Sequence, residues 1–435
     1  MNTRFYNAKI LTMEEPIKII EGELWVGGSA ILYVGDGTDK ERVYEKNGNQ
    51  PIIWDEEIDC RGNLLMPGFK DAHTHSAMTL LRSYADDMPL QDWLNKQVFP
   101  VEAKLESEDI YHLTKLAVLE YLTSGITGVM EMYLEPRAIQ EAFTECGMRN
   151  AQVSGINKFG PSLEELENRY LSLNGQNELS SFMLGFHAEY TCSKELLQDI
   201  AAMAHKYKAP VFTHNAETAL EVEECKERYG VTPTVLFDRL GIYDFGGGGY
   251  HCVHMCDDDF EVFKKRNLIA VTNPASNLKL ASGIAPISRY LQEGIPVAIG
   301  TDGPASNNCL DMFREMFLVT GLAKYRDGDA SSTNALEVLK MATVNGAKAM
   351  GWKDCETLAE GSKADLIMID LHQPNMQPLH NIPKNIVYAG SKQNVKLTMI
   401  NGKILYENGN FHIGTDPEEI YEKCNAISKR LQLEA

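Results

Sequence analysis

The chain has 435 residues, 44% hydrophobic and 23% charged, a composition that excludes a disordered or membrane-embedded protein. Its 41 lysines and arginines stand against 61 aspartates and glutamates, so a formal charge of −20 excludes the basic face that a nucleic-acid partner requires. No run approaches the ~18 apolar residues of a membrane span, and the first residues lack an apolar stretch of signal-peptide length. Nine scattered cysteines without a C-x-x-C pair read as reduced thiols, which places the protein in the cytoplasm.

Taken in chain order, residues 4–13, 22–34 and 51–59 alternate apolar and polar positions and predict short strands. From residue 65 the rhythm changes. Apolar runs at 65–72, 126–132, 148–155, 183–190, 210–215, 250–255, 269–274 and 296–301 are separated by helical stretches such as 108–122, 194–207 and 257–266. Eight strands alternating with helices is the count of a TIM-like (β/α)₈ barrel. A doubly wound sheet is the alternative, although it would not need eight runs. Four glycines at 246–249, just before the sixth run, predict a mobile loop, either a plain connector or a gate. Residues 364–370, 396–400 and 403–407 return to the strand pattern, with Asn401-Gly402 as a hairpin turn. Neither flank can bury a sheet alone. The expected organisation is therefore a small composite β-sandwich from residues 1–62 and 362–435, the latter including a C-terminal tail, around a barrel at 63–361.

The chemistry gathers at the strand ends. In PGFKDAHTH (67–75), His73 and His75 are two apart on a strand and share one face, so both imidazoles can hold one metal ion. His214 ends the fifth run, His251 lies in the sixth, and Asp302 follows the eighth. All of these positions belong to the catalytic end of such a barrel. His251, Cys252, His254 and Cys256 lack the second pair that a structural zinc site would need.

With these residues placed, the sequence resembles the amidohydrolase superfamily in its cytosine-deaminase-like branch, and more narrowly the 5′-methylthioadenosine/S-adenosylhomocysteine deaminases. The resemblance rests on PGFKDAHTH with SAMTLLRSYADD, HNAET, HCVHM, NPASNLKLASGIAPI, GTDGPASNN and LAEGSKADLIMID, and it covers nearly the whole chain. It implies one divalent metal, usually zinc with Fe²⁺ or Mn²⁺ as alternatives, held by His73, His75, His214 and Asp302. The fourth run, MLGFHAEY, has no lysine to bridge a second metal, which favours a mononuclear site. The resemblance further implies that Asp302, Glu217 and His251 are catalytic, with Asp302 moving the water's proton. Glu217 would protonate the purine ring nitrogen, and His251 would orient the nucleophile. Glu102 and His187 correspond to contacts to the nucleoside, and Trp93 to an apolar wall. The expected reaction is hydrolytic deamination of a small adenine nucleoside, by a homo-oligomer if family habit holds.

Two departures stand out. Arginines that would hold a homocysteine tail after the third strand are missing: Ser154 stands there, followed by Lys158, which lacks the bidentate fork, and Arg169 is the next arginine. Thr272 replaces a histidine before Asn273-Pro274. Adenosine and methylthioadenosine are thus expected ahead of S-adenosylhomocysteine. The competing readings are a deaminase or hydrolase of a free heterocycle such as guanine, a pterin or a triazine, and a silent scaffold. A cytidine-deaminase type is excluded because the combined H-x-E/C-x-x-C motif is absent: no C-x-x-C occurs in the chain.

Overall fold

The computed structural model describes residues 1–46 and 48–433. Eight strands form an inner ring: β1 (Phe69–Thr74), β2 (Ile126–Glu131), β3 (Arg149–Val153), β4 (Ser180–Gly185), β5 (Val211–Asn215), β6 (Gly247–His251), β7 (Ile269–Thr272) and β8 (Val297–Ile299). They pair in parallel in chain order. Closure comes between β8 and β1. The Asp302 amide donates to the His73 carbonyl at 2.9 Å, and Asp71 accepts from the Thr301 amide at 2.8 Å and hydroxyl at 2.5 Å. This is the expected (β/α)₈ barrel. Its interior is packed by buried side chains including Met130, Ala151, Phe212, Tyr250 and Val271, which form a floor beneath the catalytic end.

Helices cover the outside. The stretch expected at 108–122 is the helix Ser107–Thr123, opened by a capping box in which Asp109 accepts from the Glu106 amide at 2.8 Å. It turns Ile110, Leu113, Ala117 and Leu122 into the core. The C-terminal helix Pro417–Arg430 lies on it, with the Cys424 thiol on the His112 carbonyl and Arg430 paired to Asp109.

Both chain ends join in one nine-stranded mixed sheet. Its order runs Asn410–Phe411, Lys403–Glu407, Val395–Ile400, Leu366–Ile369, Leu64–Pro67, Asn2–Leu11, Ile19–Gly27 and Ala30–Gly35, with Glu56–Asp59 also on Asn2–Leu11. The run expected at 65–72 is therefore two strands. Leu64–Pro67 pairs with Leu366–Ile369 in the terminal sheet, and after Gly68 the chain enters the barrel as β1. Gly68 is the joint because a Cβ there would lie 2.1 Å from the Thr127 methyl carbon.

A second expectation fails outright. Three of the four glycines at 246–249 belong to β6, so the segment is neither a mobile loop nor a gate. Glycine is a poor strand former, but here neighbouring backbones leave no room for anything else. A Cβ on Gly247 would lie 1.9 Å from the Val211 carbonyl oxygen, and one on Gly248 would lie 2.2 Å from that of Ile269.

Barrel and sheet are tied by a buried ionic knot. The Arg149 guanidinium donates twice to Asp365, at 2.8 and 3.1 Å, and the Asn401 amide donates to the same carboxylate at 2.8 Å. The Lys70 ammonium stands 4.0 Å from Asp365 and donates to Thr127 at 2.6 Å. All nine cysteines are free thiols. Among the described residues no helix is long and apolar enough to cross a membrane.

Candidate active site

His73 and His75 leave β1 on one face and His214 comes from β5. One ligand nitrogen from each lies within 4.8 Å of the others. Asp302, just past β8, places Oδ1 3.7 Å from His73 Nε2 and 3.2 Å from His75 Nε2. Its Oδ2 accepts from the Ser276 hydroxyl at 2.6 Å and its Oδ1 from the Gly303 amide at 2.8 Å. Asp302, His251 and Ala216 all have positive φ, at +58°, +67° and +51°. Non-glycine residues occupy this region only at a cost of about 1–3 kcal/mol each, and they do so here where strands turn over into the site.

Carbonyl oxygens, which can only accept, orient two of the rings. His75 Nδ1 meets the Met132 carbonyl, and His214 Nδ1 meets the His187 carbonyl at 2.7 Å. Both rings therefore carry a proton on Nδ1 and turn Nε2 inward. Burial, reinforced by the neighbouring histidines, holds His73 and His214 well below the usual imidazole range, so both are neutral. Burial also opposes charge on His75, but the Asp302 carboxylate beside it prevails and pushes it up to about 9. The same contact holds Asp302 well below the carboxylate range against the effect of burial. Both nitrogens of His73 are buried without a hydrogen-bond partner among the described residues. Orphaned imidazole lone pairs beside a buried anion are what a divalent cation satisfies, and three imidazoles with one carboxylate are a suitable donor set.

Glu217 and His251 lie beside this cluster. Glu217 Oε1 accepts from the Ser282 hydroxyl at 3.0 Å, and Oε2 stands 3.8 Å from His251 Nε2. His251 Nδ1 donates to Asn277 Oδ1 at 2.8 Å. Glu217 is aimed by the left-handed turn at Ala216, and the Ala216 and Glu217 amides donate to Glu221 at 3.0 and 2.8 Å.

One cavity of about 540 Å³ opens onto these groups, a size that suits a nucleoside. Of the residues expected from the sequence, His75, Trp93, Glu102, His187, His214, Glu217, His251 and Asp302 line it, and His73 lies fully buried behind them. Burial pushes the Glu102 carboxyl up to about 7, although the Tyr133 hydroxyl facing it favours its ionised form. Burial also holds His187 down to about 4. Arg169 lines the cavity too, but it is already paired with Glu165 one helical turn away. Thr272 does not reach the cavity. Val271 faces the barrel interior, so its neighbour Thr272 turns to the helices and lines a small cleft with Val319 and Leu322.

Sequence reasoning gave no role to Ser276, Asn277, Ser282 or Tyr133. The first three lie in NPASNLKLAS, a segment singled out as a motif whose individual side chains were not used. Each of them bonds one functional group: Asp302, His251 and Glu217 respectively.

Known proteins similar to this chain include deaminases. The chain is 38% identical to a 5-methylthioadenosine/S-adenosylhomocysteine deaminase of Caldanaerobacter subterraneus subsp. tengcongensis, over 99% of this chain and 98% of the relative. It is 37% identical to a 5'-deoxyadenosine deaminase of Methanopyrus kandleri, over 87% and 89%. Among solved structures, a zinc-bound adenosine deaminase of Xanthomonas campestris superposes with a TM-score of 0.91 at 29% identity, covering 99% of both chains. The amidohydrolase pattern matches residues 64–405, and on this ground the chain belongs to the amidohydrolase family.

Proposed function

We propose that this protein is a metal-dependent hydrolytic deaminase of adenine nucleosides, in which water replaces the 6-amino group to give the inosine analogue and ammonia. The observation that carries this reading is the convergence of His73, His75, His214 and Asp302 with Glu217 and His251, their wall completed by Glu102 and His187. Relatives named as deaminases of adenine nucleosides support it.

One divalent ion, zinc by preference, is held by His73, His75, His214 and Asp302; when bound, it makes water nucleophilic at neutral pH. Asp302 takes a proton from the attacking water and returns it to the departing amine. Its Oδ2 is fixed by Ser276 and its Oδ1 faces the histidines. Glu217 carries the water's other proton on Oε2 to the ring nitrogen beside the attacked carbon, which lets that carbon become tetrahedral, so that the two protons of water end on the ring nitrogen and on ammonia. His251 orients the attacking oxygen through Nε2. Glu102 accepts from ribose hydroxyls, and Trp93 and His187 flank the nucleoside.

The substituent on the ribose is neutral and small. Arg169 is the one lysine or arginine among the described residues lining the cavity, and Glu165 neutralises it. A tail carboxylate would have to compete for it. Glu165→Gln is therefore expected to raise kcat/KM for S-adenosylhomocysteine about tenfold while leaving methylthioadenosine within about twofold. An unchanged ratio of the two substrates would refute this specificity.

The function itself is tested by ammonia release from adenosine, methylthioadenosine, S-adenosylhomocysteine, guanine and a pterin, on protein of known metal content. Turnover of adenosine or methylthioadenosine, abolished by a chelator and restored by zinc, is the expected result. Turnover confined to the free heterocycles would overturn the nucleoside reading.

A further inference from the structure

The rings of His75 and His214 are each fixed by a hydrogen bond from Nδ1 to a backbone carbonyl, but His73 has no such bond on either nitrogen among the described residues. Yet a ligand ring must be aimed as well as present. Against the face of His73 lies Tyr250, with ring centroids 3.7 Å apart and planes inclined by 19°. Tyr250 is fully buried on β6. Its hydroxyl donates to the Met130 sulfur at 3.2 Å, and the Phe212 ring lies 6.0 Å away with planes inclined by 22°. The tyrosine ring is thus held at its hydroxyl and packed beside Phe212, and His73 rests on its face. The register of β5 and β6 puts Tyr250 directly opposite His214, whose ring meets it edge-on at 5.6 Å.

We propose that Tyr250 is a positioning residue for the metal centre. Its ring fixes the plane of the His73 imidazole by stacking and so performs for His73 what the carbonyls of Met132 and His187 perform for the other two rings. Stacking restrains rotation about the last side-chain bond, a broad torsion for histidine, and keeps Nε2 on the line toward Asp302. The hydroxyl serves only to anchor the tyrosine on Met130. The requirement is therefore for an aromatic ring at this position.

This inference rests on the assignment of His73 as a ligand, so the experiment separates the two. Zinc affinity of purified full-length protein is read by competition with a chromophoric chelator. The cobalt-substituted protein supplies the d–d absorption spectrum, which reports ligand geometry independently of turnover. Tyr250→Leu and Tyr250→Met, which keep apolar bulk but lose the ring, are both expected to weaken zinc about 10–100-fold and to change the cobalt spectrum. Tyr250→Phe is expected to stay within about threefold of the parent with the parent spectrum. Parent affinity and spectrum in Tyr250→Leu or Tyr250→Met would overturn the proposal. So would Tyr250→Phe losing as much as they do, because the hydroxyl would then be the active element. His73→Ala is the control for the ligand assignment: if it retains stoichiometric zinc at parent affinity, that assignment fails whatever the tyrosine variants show.

Discussion

Ser282 donates to one oxygen of Glu217 and leaves the other turned toward His251. In the proposed reaction that division of labour gives Glu217 a single active oxygen. Glu217→Gln keeps the Ser282 contact and the shape of the site but has no transferable proton. It is expected to retain full metal content and to lose ~10²–10⁴ in kcat, measured by ammonia release beside metal analysis. Activity within tenfold of the parent would remove Glu217 from the reaction. At this scale the sequence was informative where residue types are chemically distinctive: histidines two apart on a strand, or an aspartate behind a strand end. Ser276, Asn277 and Ser282 were not visible in the same way. Serine and asparagine are common caps and turn formers, and nothing in their spacing announces that they will bond a catalytic group.

The segment holding those three side chains is itself held by a buried acid. Glu315, on the helix Met312–Asp327, accepts from the Ala275 amide at 3.0 Å and from Asn307 at 2.8 Å, which ties the helix Pro274–Lys279 to the outer layer. Burial raises its carboxyl from 4.5 to about 8. A carboxyl that is easier to protonate when folded contributes stability that is complete below pH 4.5 and lost as pH rises through about 8. Chemical denaturation across this window should show the parent losing stability faster than Glu315→Gln, whose amide does not ionise. Parallel curves would refute the effect. At the same scale, the glycines of β6 show how tertiary contact overrides propensity: the run of four glycines reads as a loop, whereas closeness to Val211 and Ile269 made a strand. Gly248→Ala is expected to cost about 3 kcal/mol or more, read from urea midpoints, because the obstructing atom is a carbonyl oxygen that cannot rotate away. A loss below ~1 kcal/mol would mean that the strands separate readily.

Across the whole molecule, the eight-run rhythm made the barrel legible, and the strand-like flanks pointed to a shared sheet. What the rhythm did not reveal is the seam between them. Long-range pairing of residues near 64 with residues near 366 leaves no local trace, and the change of sheet at Gly68 is concealed inside one continuous apolar run. The buried knot of Arg149, Lys70 and Asp365 fastens that seam. Asp365→Ala strands two cations away from water, and it is expected to cost about 3–5 kcal/mol in urea unfolding. Removing the charges together, as Arg149→Met with Lys70→Met and Asp365→Leu, should restore much of that loss. A single variant as stable as the parent would show that the knot adds nothing.

The strand that bears His73 and His75 is the direct continuation of one whose partner lies some three hundred residues later in the chain. During synthesis Leu64–Pro67 lacks this partner until Leu366–Ile369 emerges. Asp302 is likewise delivered long after the histidines it joins. The proposed ligand set is therefore complete only once Asp302 has emerged, and a shorter nascent polypeptide lacks the carboxylate that closes it.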